Sequence, residues 1–246
     1  MTPRIKAFLI HLAISIVVAL AAMALVFGLW YPSPLHAALG VTGIFLLLLA
    51  VDVVLGPCLT LVVFKPGKKT LVFDLAVIVV LQAAALVYGL YTVAEGRPAW
   101  LVFAHDRFDV VRVVDINTEH IDEAASEYRH PSWFGPQWVA LPSFNGTQAQ
   151  NSLQLQSLLT GNKASTYPAL YQPLASQKTG IRVNALPLER LANYNPTATL
   201  EPVLANHPQA DSWLPLNATQ QDMVVLIRKE QGEVVALVDL RPWYVD

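Results

Sequence analysis

Charge is scarce in this chain, and unevenly so. Of 246 residues only 14% are Asp, Glu, Lys or Arg, while 54% are apolar; a globular domain carries about a quarter charged residues. Up to residue 98 the only acids are Asp52, Asp74 and Glu95, and beyond it fifteen acids face ten Lys and Arg. The chain is therefore read as a membrane portion followed by a mildly acidic soluble portion. That balance lacks the basic footprint of a nucleic-acid binder, so no nucleic-acid partner is expected. Cysteine is nearly absent. Cys58 stands alone, which rules out an intramolecular disulfide, a cysteine zinc site and an iron–sulfur cluster. Buried in an apolar run, its thiol is expected to be an inert packing group. Gly-rich phosphate loops, nucleophile elbows and His-Glu-x-x-His runs are missing too. The histidines at 105, 120, 130 and 207 do not recur at ligand spacing, so no catalytic residue, metal or cofactor is assigned.

Long apolar runs are what the sequence has in plenty. They cover about residues 8–31, 36–64 and 70–92, each as long as the roughly 20 residues a bilayer requires. The first outlasts the roughly 7–15-residue apolar region of a secretory signal, so it is read as a retained anchor. The second is longer than a span needs, and Gly56-Pro57 is its expected kink. Arg4 and Lys6 precede the first run, Lys65, Lys68 and Lys69 separate the second from the third, and the Tyr31-Pro-Ser-Pro-Leu connector is uncharged. Basic short loops stay cytoplasmic. The N-terminus is thus expected inside, and everything past the third run outside. Trp30, Tyr31, Tyr88, Tyr91 and Trp100 are expected to form an aromatic belt at the outer boundary.

Four of the polar side chains within the runs stand out by their depth. His11 and Asp74 lie at similar shallow depth and are read as an interfacial pair, within reach of Lys6 and Lys69. Asp52 and Gln82 lie twelve residues inside Phe64 and Thr70 respectively, near mid-membrane at about 1.5 Å per residue. A charge there costs roughly 2.5–3.5 kcal/mol on insertion scales, so Asp52 is expected to be protonated or hydrogen-bonded, with Gln82 as its partner. The pair serves either as glue between helices or as a contact for another membrane protein. Two intramembrane aspartates also suggest an aspartyl protease. Its carboxylates must share a proton at about 3 Å, whereas these differ by eight residues in depth and neither follows a Gly-x-Gly.

The division expected is a three-helix transmembrane region over 1–96 and one α+β domain over 97–246. Residues 99–116 read as a hairpin around His105-Asp106-Arg107, and 222–240 as a second one around Glu230-Gln231-Gly232-Glu233. Helices are expected over 118–128 and 148–159, two short ones over 186–206, and a strand over 138–141. The two hairpins are expected to join in one sheet. Glu119, Asp122, Glu123 and Glu127 would give the first helix an acidic face.

The stretches RIKAFLIHLAIS, WYPSPLHAALG, VDVVLGPCLTLVVFKPGKKTLVFDLAVIVVLQAAALVYGLYTV and RPAWLVFAHDRFDVVR together resemble the type IV pilin accessory proteins of the TfpX/TfpZ type. The similarity is specific over about residues 4–115. It is looser afterwards, mainly in GPQWVAL and the closing hairpin before Arg241-Pro242-Trp243. The resemblance implies a multi-pass protein of the bacterial inner membrane with a periplasmic domain. It further implies a non-enzymatic chaperone role in pilin stability and pilus assembly. The implied partners are the cognate type IV major pilin, other pilus assembly components and membrane lipid. Pilins carry a glutamate and, after processing, an amine near the membrane end of an apolar N-terminal helix. Asp52, unwound locally by Gly56 and Pro57 and supported by Gln82, is the expected contact. A membrane-anchored periplasmic sensor is the competing class; a deep apolar pocket with a few converging polar groups would mark it.

Overall fold

The computed structural model describes residues 1–143, 151–155 and 163–244. Thr2 starts the first helix: its side chain accepts from the Ile5 N–H, and Pro3 fills a first-turn position where no N–H is needed. Helix α1 covers Pro3–Met23 and continues as a wider π-helical stretch, Ala24–Trp30, that ends where Tyr31 N–H donates to Val26 O at 2.7 Å. Helix α3 spans Val41–Val63 and α4 spans Leu71–Glu95. All three are long and apolar enough to cross a membrane. Their outward faces bear side chains that water would not tolerate, such as Val17, Leu47, Val62, Val72, Phe73 and Val80.

Gly40 cuts the second apolar run short. Its backbone is left-handed (φ 68°), a geometry that costs glycine little. The residues before it form a separate short helix, α2 (Leu35–Ala38), so the span begins at Val41 and not at 36. Leu35 and Ala38 then leave the helical region and are buried in the core of the sheet with Leu101, Phe103, Phe108 and Leu214. The N–H groups of Gln220 and Gln221 both donate to Ala38 O, at 3.0 and 3.1 Å. The loop between the first two spans thus plugs into the sheet.

Among the described residues that sheet has eight strands: β1 (Pro98–Ala104), β2 (Arg107–Arg112), β3 (Gln137–Ala140), β4 (Gln172–Pro173), β5 (Leu186–Pro187), β6 (Ser212–Asn217), β7 (Met223–Arg228) and β8 (Glu233–Val238). Its order is β4-β3-β1-β2-β6-β7-β8, with β5 added to β6. Both expected hairpins are present, β1–β2 and β7–β8. They are joined through β6, parallel to β2 and antiparallel to β7. β1 and β7 are buried nearly end to end, as central strands covered on both faces should be. One face packs Phe103, Ile181 and Val225; the other packs Trp100, Tyr128 and Tyr171 near β1 and Trp213, Leu191 and Leu226 near β7.

Some expectations change. Residues 118–128 form no α-helix but two 3₁₀ turns, Ile121–Glu123 and Ser126–Tyr128, separated by extended Ala124 and Ala125. Asn117 Oδ1 accepts from the Glu119 N–H, and Arg129 donates to the carbonyls of Asp122 and Ala124. Local bonds of this kind compete with a helical ladder. Tyr128 is meanwhile drawn into the core, 5.9 Å from the Trp100 ring. The expected helix over 148–159 is seen at 151–155, and its remainder lies outside the described residues. The two short helices appear as a 3₁₀ stretch, Leu188–Asn193, and an α-helix, Thr197–Ala205. Trp100 is no belt residue: it is fully buried in β1. Trp30 and Tyr31 are also buried, and the Tyr31 hydroxyl donates to Val93 O at 2.8 Å. Tyr88 and Tyr91 do face outward.

Candidate functional site

Helix α3 packs along both α1 and α4, while those two make little contact with each other. Small residues permit the close approach. Ser15, Ala19 and Ala22 of α1 are buried, and Gly89 of α4 leaves room for Leu48: a Cβ there would stand 2.5 Å from Leu48 Cδ1. With α1 and α4 splayed apart over α3, a groove of about 500 Å³ opens between them. α1 contributes Ile10, His11, Ile14, Ser15 and Val18; α4 contributes Leu75, Val79, Gln82 and Leu86; α3 contributes Asp52 and Thr60. A second groove of about 510 Å³ lies between α3 and α4, lined by Leu47, Val51, Leu59 and Leu81, and shares Asp52 and Gln82 with the first.

Asp52 and Gln82 meet. Gln82 Nε2 donates to the Asp52 backbone oxygen at 2.9 Å and to its Oδ1 at 3.1 Å. Each residue lies eleven positions inside the helix end next to the lysine turn, which is about 16 Å of helix and half of a 30 Å hydrocarbon core. Gln82 Oε1 is buried with no hydrogen-bond partner. Gly56 explains how the amide reaches α3: a Cβ at Gly56 would overlap Gln82 Nε2, Cδ and Oε1. The expected local unwinding is absent. α3 runs unbroken through Pro57, so Gly56 acts as a seat for Gln82 and not as a hinge. Pro57 still removes one N–H from the helical ladder.

His11 and Asp74 do not pair with each other. His11 Nδ1 lies 2.6 Å from Thr60 Oγ1 on α3, whereas Asp74 Oδ2 is 2.6 Å from Lys68 Nζ and accepts from Thr70 Oγ1 at 3.0 Å. The lysine turn supplies a nearer partner than α1 does. Asp52 and Asp74 therefore belong to separate networks, which is no proton-sharing dyad. The basic residues gather at one end of the bundle: Arg4 Nε donates to Leu61 O, Lys68 is paired, and Lys6, Lys65 and Lys69 are exposed. Cys58 faces outward, correcting the expected buried thiol. Among the described residues no three His, Cys, Asp or Glu side chains converge on a metal-sized site.

Past the helices, a cleft of about 670 Å³ where β2 and β6 diverge is lined by Arg112, Asp115, Asn117, Lys163, Ser165 and Asn217. Arg112 binds Asp115 in a two-pronged contact, at 2.7 and 2.8 Å, and holds that carboxyl below the usual carboxylate range. This polar wall is unlike the mostly apolar lining of a small-molecule pocket.

The family described as fimbrial assembly protein FimB matches residues 1–40. The chain is 29% identical over 217 residues to the serogroup I fimbrial assembly protein of Dichelobacter nodosus, covering 87% of this chain and 76% of that one. It is 30% identical over 181 residues to the serogroup E1 protein of the same organism, covering 73% and 70%. A third similarity, to the protein of serogroups C1 and C2, is 32% over 117 residues, or 47% of this chain and 89% of that one. No solved structure matches the chain significantly.

Proposed function

The chain belongs to the family of fimbrial assembly proteins, and from that premise we propose that it is a non-enzymatic inner-membrane accessory protein of type IV pili. In this reading it steadies pilin by seating the apolar pilin helix in the groove between α1 and α4, while the sheet meets the pilin head. The N-terminus and the lysine turn lie in the cytoplasm, and the portion beyond about residue 96 lies in the periplasm with α2 built into its core.

The observation that carries this reading is the groove itself. Two of three helices that ought to close a bundle stand apart, and the space between them has apolar walls and a floor of His11, Ser15, Asp52, Thr60 and Gln82. Lipid tails gain nothing from such a floor. Helices in lipid associate through packing and hydrogen bonds, each bond worth about 0.6–2 kcal/mol. A fourth helix bringing a donor could use the Gln82 Oε1 left without a partner. The amine of a processed pilin helix is a donor of that chemistry.

Asp52→Asn, Asp52→Leu and Gln82→Leu, expressed in the pilus-bearing host, separate contact from glue. The expected result for Asp52→Leu is a normal level of the protein with reduced surface piliation. Unchanged protein and unchanged piliation would refute the contact, and loss of the protein itself would assign Asp52 to internal cohesion.

A further inference from the structure

Trp133 and Phe134 belong to a loop, 131–135, that folds back onto the end of α1. The Trp133 ring lies 6.1 Å from the Trp30 ring and under the Arg97 guanidinium, 4.1 Å from its centre. Arg97 is itself buried and donates to Ala94 O at 2.7 Å, at the C-terminal end of α4 where a cation is favoured. Gly135, at φ 92°, brings the loop backbone beside α1; a Cβ there would stand 3.4 Å from Leu29 O. The Phe134 N–H is fixed by Ser132 Oγ at 3.0 Å. Trp133 is thus held against Arg97 and Trp30 while remaining 57% exposed. Phe134 is nonetheless 83% exposed, and the exposed part of Trp133 adjoins it.

An isolated exposed aromatic needs no explanation. Two exposed neighbours anchored through Trp133 at the level of residues 29 and 30, the last turn of a spanning helix, are another matter. That level is the membrane interface, where Leu29 also faces outward and where amphipathic rings are favoured. The loop abuts the end of α1 beside the part-exposed Leu29. We propose that loop 131–135 is a lipid-inserting tip: Trp133, packed against Arg97 and Trp30, holds Phe134 at the boundary between headgroups and acyl chains. The sheet is thereby oriented on the bilayer surface as well as tethered to it, which fixes the direction in which it meets a partner.

The full chain tests this in phosphatidylcholine vesicles without any partner. In a Cys58→Ala background, a nitroxide is attached at Phe134→Cys and its accessibility to oxygen and to a water-soluble nickel complex is measured. Val17→Cys on α1 and Val183→Cys on the helix Lys178–Asn184 serve as lipid and water references. The expected result is a Phe134 label that favours oxygen and is shielded from nickel, like Val17. A label as open to nickel as Val183 would overturn the proposal. Nickel access that disappears only when pilin is added would overturn it too, because the tip would then be a protein contact.

Discussion

Replacing Gly56 by alanine should loosen α3 from α4, and the loss should depend on Gln82. A Cβ at Gly56 would overlap three atoms of the Gln82 amide, so that side chain must leave its place. In leaving it gives up both donations to Asp52, at 2.9 and 3.1 Å. Interhelical hydrogen bonds in membranes average about 0.6 kcal/mol, with a maximum near 1.7, so this loss amounts to about 1–2 kcal/mol. Overpacking a fitted interface costs a further amount of the same order. In a Gln82→Ala chain the obstructing amide is gone, and Gly56→Ala should cost almost nothing, since alanine is the better helix former by up to about 1 kcal/mol in water. Reversible unfolding of the full chain in mixed micelles, for the two single variants and the double variant, yields the coupling. A value of about 1–3 kcal/mol is expected. Additivity within about 0.5 kcal/mol would refute the reasoning, because it would mean the two residues do not share the space assigned to them.

Other outcomes follow from the same geometry. Gly40→Val should destabilise the chain by at least about 1–2 kcal/mol, the cost of a Cβ in a left-handed backbone, with the added strain of the Gln220 side chain only 3.1 Å away; thermal melting checks it. Asp115 is held low by Arg112 in the folded chain. Its stabilising effect is therefore complete above the unfolded carboxyl value near 4 and is lost as pH falls through the folded one. Asp115→Asn should flatten the acid limb of a stability titration read by tryptophan fluorescence. An unchanged acid limb would count against the ion pair. A reporter active only in the periplasm, fused at the C-terminus, should be active; activity of a cytosol-only reporter there would reverse the orientation.

The helices were legible in sequence because length and apolar content suffice to mark a span, and because depth counting brought Asp52 level with Gln82. Depth alone did not identify partners for His11 and Asp74. Those were decided by Thr60 across the α1–α3 interface and by Lys68 in the adjoining turn, contacts that depend on helix rotation. Gly40 was hidden inside an apolar run because α2 is apolar for a different reason: it enters the core of the sheet. Strand β6 lies outside the segments read as strands, and its Pro215 is a residue that argues against one. Its partners explain the exception. β5 pairs at Ser212 and Trp213, β2 at Leu216 and Asn217, and Pro215 falls between them, where a missing N–H costs least. Trp100 looked like a belt residue by position, while the exposed aromatics at the helix end come from residues 133 and 134, a hundred residues further along the chain.

The central claim is that the space between α1 and α4 receives the pilin helix. Photocrosslinking in cells tests it most directly, from Ile14 and Val79, which line the groove, against Val17 and Val80, which face outward elsewhere. The account predicts pilin adducts from Ile14 and Val79 and few or none from Val17 and Val80. Adducts of equal yield from all four positions, or none from the groove in cells that still assemble pili, would contradict it.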